Sequence, residues 1–170
     1  MKKLMCALVL TFIAAAASAS DEMKKLDFLA GEWKGEGWFQ RGPAPREFVL
    51  QHEKVTPRLG GKVLVVEGLG HRKLESGAAG DVVHDALGII SWDAEKKQYR
   101  FAAYTAASGN VDATMDVGEK SAVWGFTTPQ GRIRYTIRLT EKGQWNEIGE
   151  FSRDGEKWMQ FFEMTLTKVQ

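Results

Sequence analysis

The stretch Gly31-Glu32-Trp33-Lys34-Gly35-Glu36-Gly37-Trp38-Phe39-Gln40 places three glycines and two tryptophans within ten residues. Glycine is a poor strand former and indoles are good ones, so the pattern conflicts with a flat, regular strand. It fits a bent one. Trp33, Gly35, Gly37 and Phe39 then share a face, with the indole plugging one end of a small closed barrel. The two glycines let the strand bend and let other side chains cross above it.

The segments on either side agree with that reading. Before it, "SDEMKKLDFLAGEW" reads as a short helix capped by Ser20 or Asp21, with Met23, Leu26 and Leu29 on one face and Gly31 ending it. After it, short runs of period two alternate with turn signals. Ile133, Tyr135, Ile137 and Leu139 alternate with Arg132, Arg134, Thr136 and Arg138, and "QYRFAAYT" sets Tyr99, Phe101 and Ala103 on one face. "TPRLGG", "DAEKK", "PQG" and Asp154-Gly155 mark turns, the last as a two-residue hairpin. The final run, from Trp158 to Leu166, is apolar on both faces. His71–Val82 reads as a longer, small-residue-rich loop expected to be mobile. About ten strands at this spacing make a sandwich or barrel, in one domain with no internal repeat or linker.

The first residues are of a different kind. Lys2 and Lys3 precede an apolar run from Leu4 to Ala17, and Ala17-Ser18-Ala19 has the small-x-small form of a cleavage site. Residues 1–19 therefore read as a secretory signal peptide, too short to be a membrane span. Residues 20–170 form the mature domain. Cys6 lies inside the signal near its start, so lipid anchoring is not expected. Removing 19 of the 170 residues leaves 151 without cysteine, and without Lys2 and Lys3 the 23 basic residues become 21 against 22 acidic ones. A disulfide-free exported chain of this length relies on its core, which buries about 70% of the unfolded surface at this size. Its near-neutral charge offers no nucleic-acid partner and no attraction to anionic membrane. The location expected is periplasmic or extracellular, and the chain is not membrane-integral.

"LAGEWKGEGWF", "LGGKVLVVEG", "HDALGIISWDAEKKQYRF" and "DGEKWMQFFEMTLTK" together resemble an uncharacterised family of secreted, lipocalin-like (calycin) bacterial β-barrels, a domain of unknown function. The resemblance covers nearly the whole mature chain. It implies an all-β fold, an antiparallel up-and-down barrel like those of lipocalins and fatty-acid-binding proteins, with a short N-terminal helix. It carries no catalytic residue. A related calycin branch with a similar opening binds haem through a histidine on its last strand. Here that strand has Phe161, Phe162, Glu163 and Met164, and the three histidines, His52, His71 and His84, all lie in the first half. No cofactor is expected.

No nucleophile elbow, no mature cysteine and no metal-ligand spacing is present, so neither a catalytic nor a metal site is assigned. The function expected is an exported protein holding a small apolar or amphipathic ligand in the barrel. The expected ligand-binding residues are Trp33, Phe39, Tyr99, Phe101 and Tyr135, with Arg134, Trp145, Glu147, Phe162 and Glu163. Trp33, Trp92, Trp124, Trp145 and Trp158 are assigned to the core by default, and Trp38 faces outward or lies under the helix. Arg134 has two readings. It is solvated outside with Arg132 and Arg138, or it turns inward with Glu150 and Glu163 as a clamp for a ligand carboxylate. Glu147 and Glu150 face opposite sides of their strand and cannot pair directly as acid and base. Two further classes remain. One is a hydrolase- or isomerase-like enzyme using Glu147, Glu163, Arg134 or His84. The other is a barrel filled by its own tryptophans, acting as a structural or interaction protein.

Overall fold

The computed structural model describes residues 18–107 and 109–169. The signal peptide expected at residues 1–19, including Cys6, lies outside them apart from its last two residues. A helix α1 (Ala19–Lys24) and a 3-10 turn (Asp27–Leu29) lead into ten strands. These are β1 (Gly31–Phe39), β2 (Glu47–Arg58), β3 (Val63–Lys73), β4 (Ala79–Asp93) and β5 (Gln98–Thr105), then β6 (Gly109–Gly118), β7 (Ser121–Thr128), β8 (Gly131–Leu139), β9 (Trp145–Ser152) and β10 (Met159–Lys168). Each strand pairs antiparallel with its sequence neighbours, and β1 pairs with β10 to close the barrel. The all-β, ten-strand, up-and-down architecture is the one the period-two runs imply.

Closure takes place on the glycines of the opening stretch. Gly35 lies opposite Leu166 and Gly37 opposite Met164. A Cβ on Gly35 would run into the Thr165 carbonyl oxygen, and one on Gly37 would sit 2.6 Å from the Glu163 carbonyl oxygen and 2.9 Å from the Met164 Cβ. Only a strand without side chains there lets β10 come so close.

One end of the barrel is filled. Met23, Leu26 and Leu29 are at most 1% exposed, as is Trp33. The Trp33 indole N–H donates to the Leu29 carbonyl at 2.8 Å, and its ring meets Trp145 edge-on at 5.9 Å. The Tyr99 hydroxyl donates to the Glu22 carbonyl at 2.9 Å and tethers α1 to the sheet. With Ser18 and Ala19 present, the cap of α1 is Ser18, whose side chain accepts from the Asp21 N–H, rather than Ser20 or Asp21.

Other local expectations change for physical reasons. The segment His71–Val82 is mostly strand: β3 runs to Lys73, β4 starts at Ala79, and register shifts around His71 accommodate the mismatch. The Leu74 N–H bonds the Ala78 carbonyl, closing a short turn with Gly77 at φ +82°. Asp154-Gly155 is part of a wider loop, because Asp154 accepts N–H bonds from Glu156 and Lys157 at 2.8 and 2.9 Å and so extends the turn. Trp158 lies in that loop outside the barrel, not in the core, with the Arg134 guanidinium 4.0 Å over its ring. Trp38 faces outward beneath the Arg46 guanidinium, 3.5 Å away. In β10, a bulge between Gln160 and Phe162 breaks the alternation, so that Phe161 and Phe162 both reach the interior.

Because Gly35 faces main chain, Gly35→Ala is expected to cost about 3 kcal/mol of stability, the upper end of overpacking effects. Urea unfolding of the variant checks this, and an unchanged midpoint would refute the role given to β1 in closure.

Candidate functional site

Beyond the tryptophan-plugged end, the interior opens into a cavity of about 390 Å³. That is within the range of small-molecule sites. A wider concavity of about 620 Å³ lies on the outside of the barrel between His52, Leu69, Leu87 and Tyr104, open to solvent. The interior cavity is the better candidate, because it lies inside the barrel and carries buried polar groups.

Its walls differ in chemistry. From β5, β7, β8 and β10 come Phe101, Trp124, Phe126, Tyr135, Phe161 and Phe162. Trp124 stacks on Tyr135 with centroids 4.4 Å apart and meets Phe101 edge-on at 4.6 Å. Phe161 and Phe162 both lie edge-on to Tyr135, at 5.9 and 6.0 Å. Strand alternation accounts for the inward set, since Tyr135 and Ile137 point in while Arg134 and Arg138 point out.

The buried polar part of the lining comes from β2 and β9. Gln51, Glu53 and Glu147 are each 6–7% exposed. The Gln51 amide donates to Glu53 Oε1 at 2.7 Å. The Trp145 indole N–H donates to Glu147 Oε2 at 3.2 Å, and Trp124 supplies a second such bond. Glycines opposite make room for these groups. A Cβ on Gly68 would lie 2.8 Å from Glu53 Oε1, and one on Gly70 would lie 2.5 Å from Gln51 Oε1.

Burial among apolar walls penalises the charged form of both acids. It raises the Glu53 pKa to about 8, against the Gln51 hydrogen bond and with help from the Glu147 charge. It raises Glu147 to about 7, against the two indole N–H bonds. Tyr135 is pushed up by burial and by Glu147. At the solvent-exposed rim, protein packed around the His84 ring lowers its pKa, opposed by Asp85.

Of the ten residues expected to bind ligand, Phe39, Phe101, Tyr135, Trp145, Glu147 and Phe162 line this cavity. Trp33 and Tyr99 belong to the plugged end. Arg134 and Glu163 are on the outer face. The Arg134 guanidinium bonds Glu150 Oε2 through both Nε and Nη2, at 3.1 and 2.8 Å, and so matches the solvated reading rather than the clamp. The outward Asn146 and Gln160 amides donate to Glu163 at 3.4 and 3.2 Å. Gln51 and Glu53 escaped the sequence reading. The signal that could have found them is the alternation Val49, Gln51, Glu53, Val55 in "VLQHEKV", which puts two polar residues in phase with two apolar ones. Trp124 and Phe161 were visible as aromatics but not as cavity lining.

No protein-family model matches the chain, and no curated protein matches it. Among solved structures, it is similar to the crystal structure of Rv2717c from M. tuberculosis, with TM-score 0.65 and 12% identity over 90% of this chain and 100% of that one. At that identity the likeness shows the fold, a lipocalin-like β-barrel. It does not extend to a ligand.

The two acids set a pH dependence of stability. Both have folded pKa values above the ordinary 4.5, so their contribution is intact below about pH 4.5 and is lost as pH rises through about 7 and about 8. The urea midpoint is expected to fall over that window. The double variant Glu53→Gln, Glu147→Gln is expected to flatten the fall, and an equally steep fall in the variant would refute the assignment.

Proposed function

We propose that this protein binds a small apolar or amphipathic molecule inside its barrel. The observation that carries the reading is the interior cavity of about 390 Å³, walled by aromatic side chains and supplied with a few buried polar groups. That combination gives a ligand both burial and orientation. The cavity also weighs against a barrel filled by its own tryptophans, since Trp33 and Trp145 occupy one end and leave the rest open. Among the described residues, no helix is long and apolar enough to cross a membrane, and no group of three metal-ligating side chains is present.

A second reading has one specific observation behind it. Glu147 is buried, hydrogen-bonded and held near neutrality, which suits a group that passes a proton to and from a bound substrate. On that reading the same cavity is an active site of hydrolase or isomerase type. Export to the periplasm or beyond is proposed from Lys2, Lys3, the apolar run and Ala17-Ser18-Ala19. The intact mass of protein recovered outside the cytoplasm should then correspond to a chain starting at Ser20, and recovery of the full-length chain would refute it.

Calorimetry with octanol, a neutral amphiphile, tests the cavity. One molecule is expected to bind per barrel. Ala103→Phe, which places a ring in the lined space, should weaken binding by about tenfold or more. Absence of octanol binding, or binding insensitive to Ala103→Phe, would refute the binding reading.

A further inference from the structure

The charges around the cavity are unbalanced. Its titratable lining groups are Glu53 on β2, Glu147 on β9, Tyr135 on β8, His84 on β4 and Arg41 beyond the end of β1. Among the described residues, the single permanent cation of the lining, Arg41, stands at the mouth with its side chain 72% exposed, and it is engaged by Glu47 at 3.3 Å and by the Phe39 ring at 4.7 Å. His84 is also at the rim, and its lowered pKa makes it a poor cation. Tyr135 is neutral at ordinary pH. Among the described residues, neither Glu53 nor Glu147 is partnered by a lysine, arginine or histidine; their hydrogen bonds come from the Gln51 amide and from indole N–H groups.

Two buried carboxyls without a countercharge are costly when ionised. A cation brought in by a ligand would supply what the protein lacks. The opposite ligand, a carboxylate, would meet like charge with no guanidinium to hold it, because Arg134 faces outward and pairs with Glu150. The aromatic lining points the same way. Cations are attracted to the faces of Trp and Tyr, and the stacked Trp124–Tyr135 pair lies within the lining that contains Glu147.

We propose that the ligand of this barrel is a small amphiphile carrying a basic amine, whose ammonium is received by Glu53 and Glu147 beside Trp124 and Tyr135 while its apolar body lies against Phe101, Phe161 and Phe162. The proposal rests on the reading of the barrel as a binding cavity and names the chemical class of its occupant. A proton is exchanged in the process. An ammonium entering a site whose carboxyls are protonated ionises them, and the protons leave to solvent. Affinity for the amine therefore rises with pH across the range in which the empty carboxyls titrate. It falls again only as the amine itself loses its proton, near about pH 10.4 for an alkylamine of lysine type.

The test compares octylamine, octanol and octanoate by calorimetry on the folded chain, at about pH 6 and about pH 8.5, in buffers of different ionisation enthalpy. At the higher pH octylamine is expected to bind about tenfold more tightly than octanol, with octanoate weakest. That preference should shrink at the lower pH, and protons should be released on amine binding near neutrality. In Glu53→Gln, Glu147→Gln the amine-to-alcohol ratio should drop to about one. If octanol binds but octylamine binds no better at the higher pH, or if the preference survives in the double variant, the amine assignment is overturned and the cavity reading stands. If octanol itself fails to bind, the cavity reading falls and takes the amine with it. Should the double variant not fold, the pH dependence and proton release of the unaltered protein decide the matter alone.

Discussion

The barrel depends on how closely β1 approaches β10. Hydrogen bonding across that seam turns a ten-strand ribbon with two edges into a closed surface with none, and closure alone removes the exposed edges. The approach is so tight that side chains at Gly35 and Gly37 would collide with the main chain or side chains of β10. The space at these two positions is taken by Leu166 and Met164 of β10. Bulky groups from other strands occupy the interior, and the cavity lies where they do not meet.

The interior is then divided along its length. At one end α1 and the 3-10 turn press Met23, Leu26 and Leu29 onto Trp33, and Tyr99 ties the helix down. This end behaves as a core, with its polar atoms satisfied: the Trp33 N–H by a carbonyl and the Tyr99 hydroxyl by Glu22. Farther in, Gln51, Glu53 and Glu147 sit among aromatic rings, and Gly68 and Gly70 leave space for the first two of these side chains. Burying two acids in an apolar cavity opposes stability once they ionise.

Much of this was legible in the chain. The alternation Ile133, Tyr135, Ile137, Leu139 set Arg132, Arg134 and Arg138 on one face without deciding which face points in, and the structure turns that face outward, with Arg134 paired to Glu150. The spacing of Glu147 and Glu150 put them on opposite faces, and they are. Trp33 was readable as a plug because it follows a helix and precedes two in-phase glycines. The errors came where periodicity is locally broken. The bulge before Phe162 changed which aromatics face inward, register shifts around His71 turned an expected loop into strand, and the side-chain bonds of Asp154 widened an expected hairpin turn.

The sequence by itself determined the fold class, the plugged end and the facing of most strand residues, because these follow from period-two alternation and from the contrast between glycine and indole. The polarity of the cavity was decided by tertiary structure alone. Glu53 and Glu147 are 94 positions apart in the chain, on β2 and β9. They influence one another only because closure puts β1 and β10 between those two strands. No local pattern records that a buried carboxyl on one strand will feel another across a seam, nor that Arg134 will turn away from the cavity to Glu150.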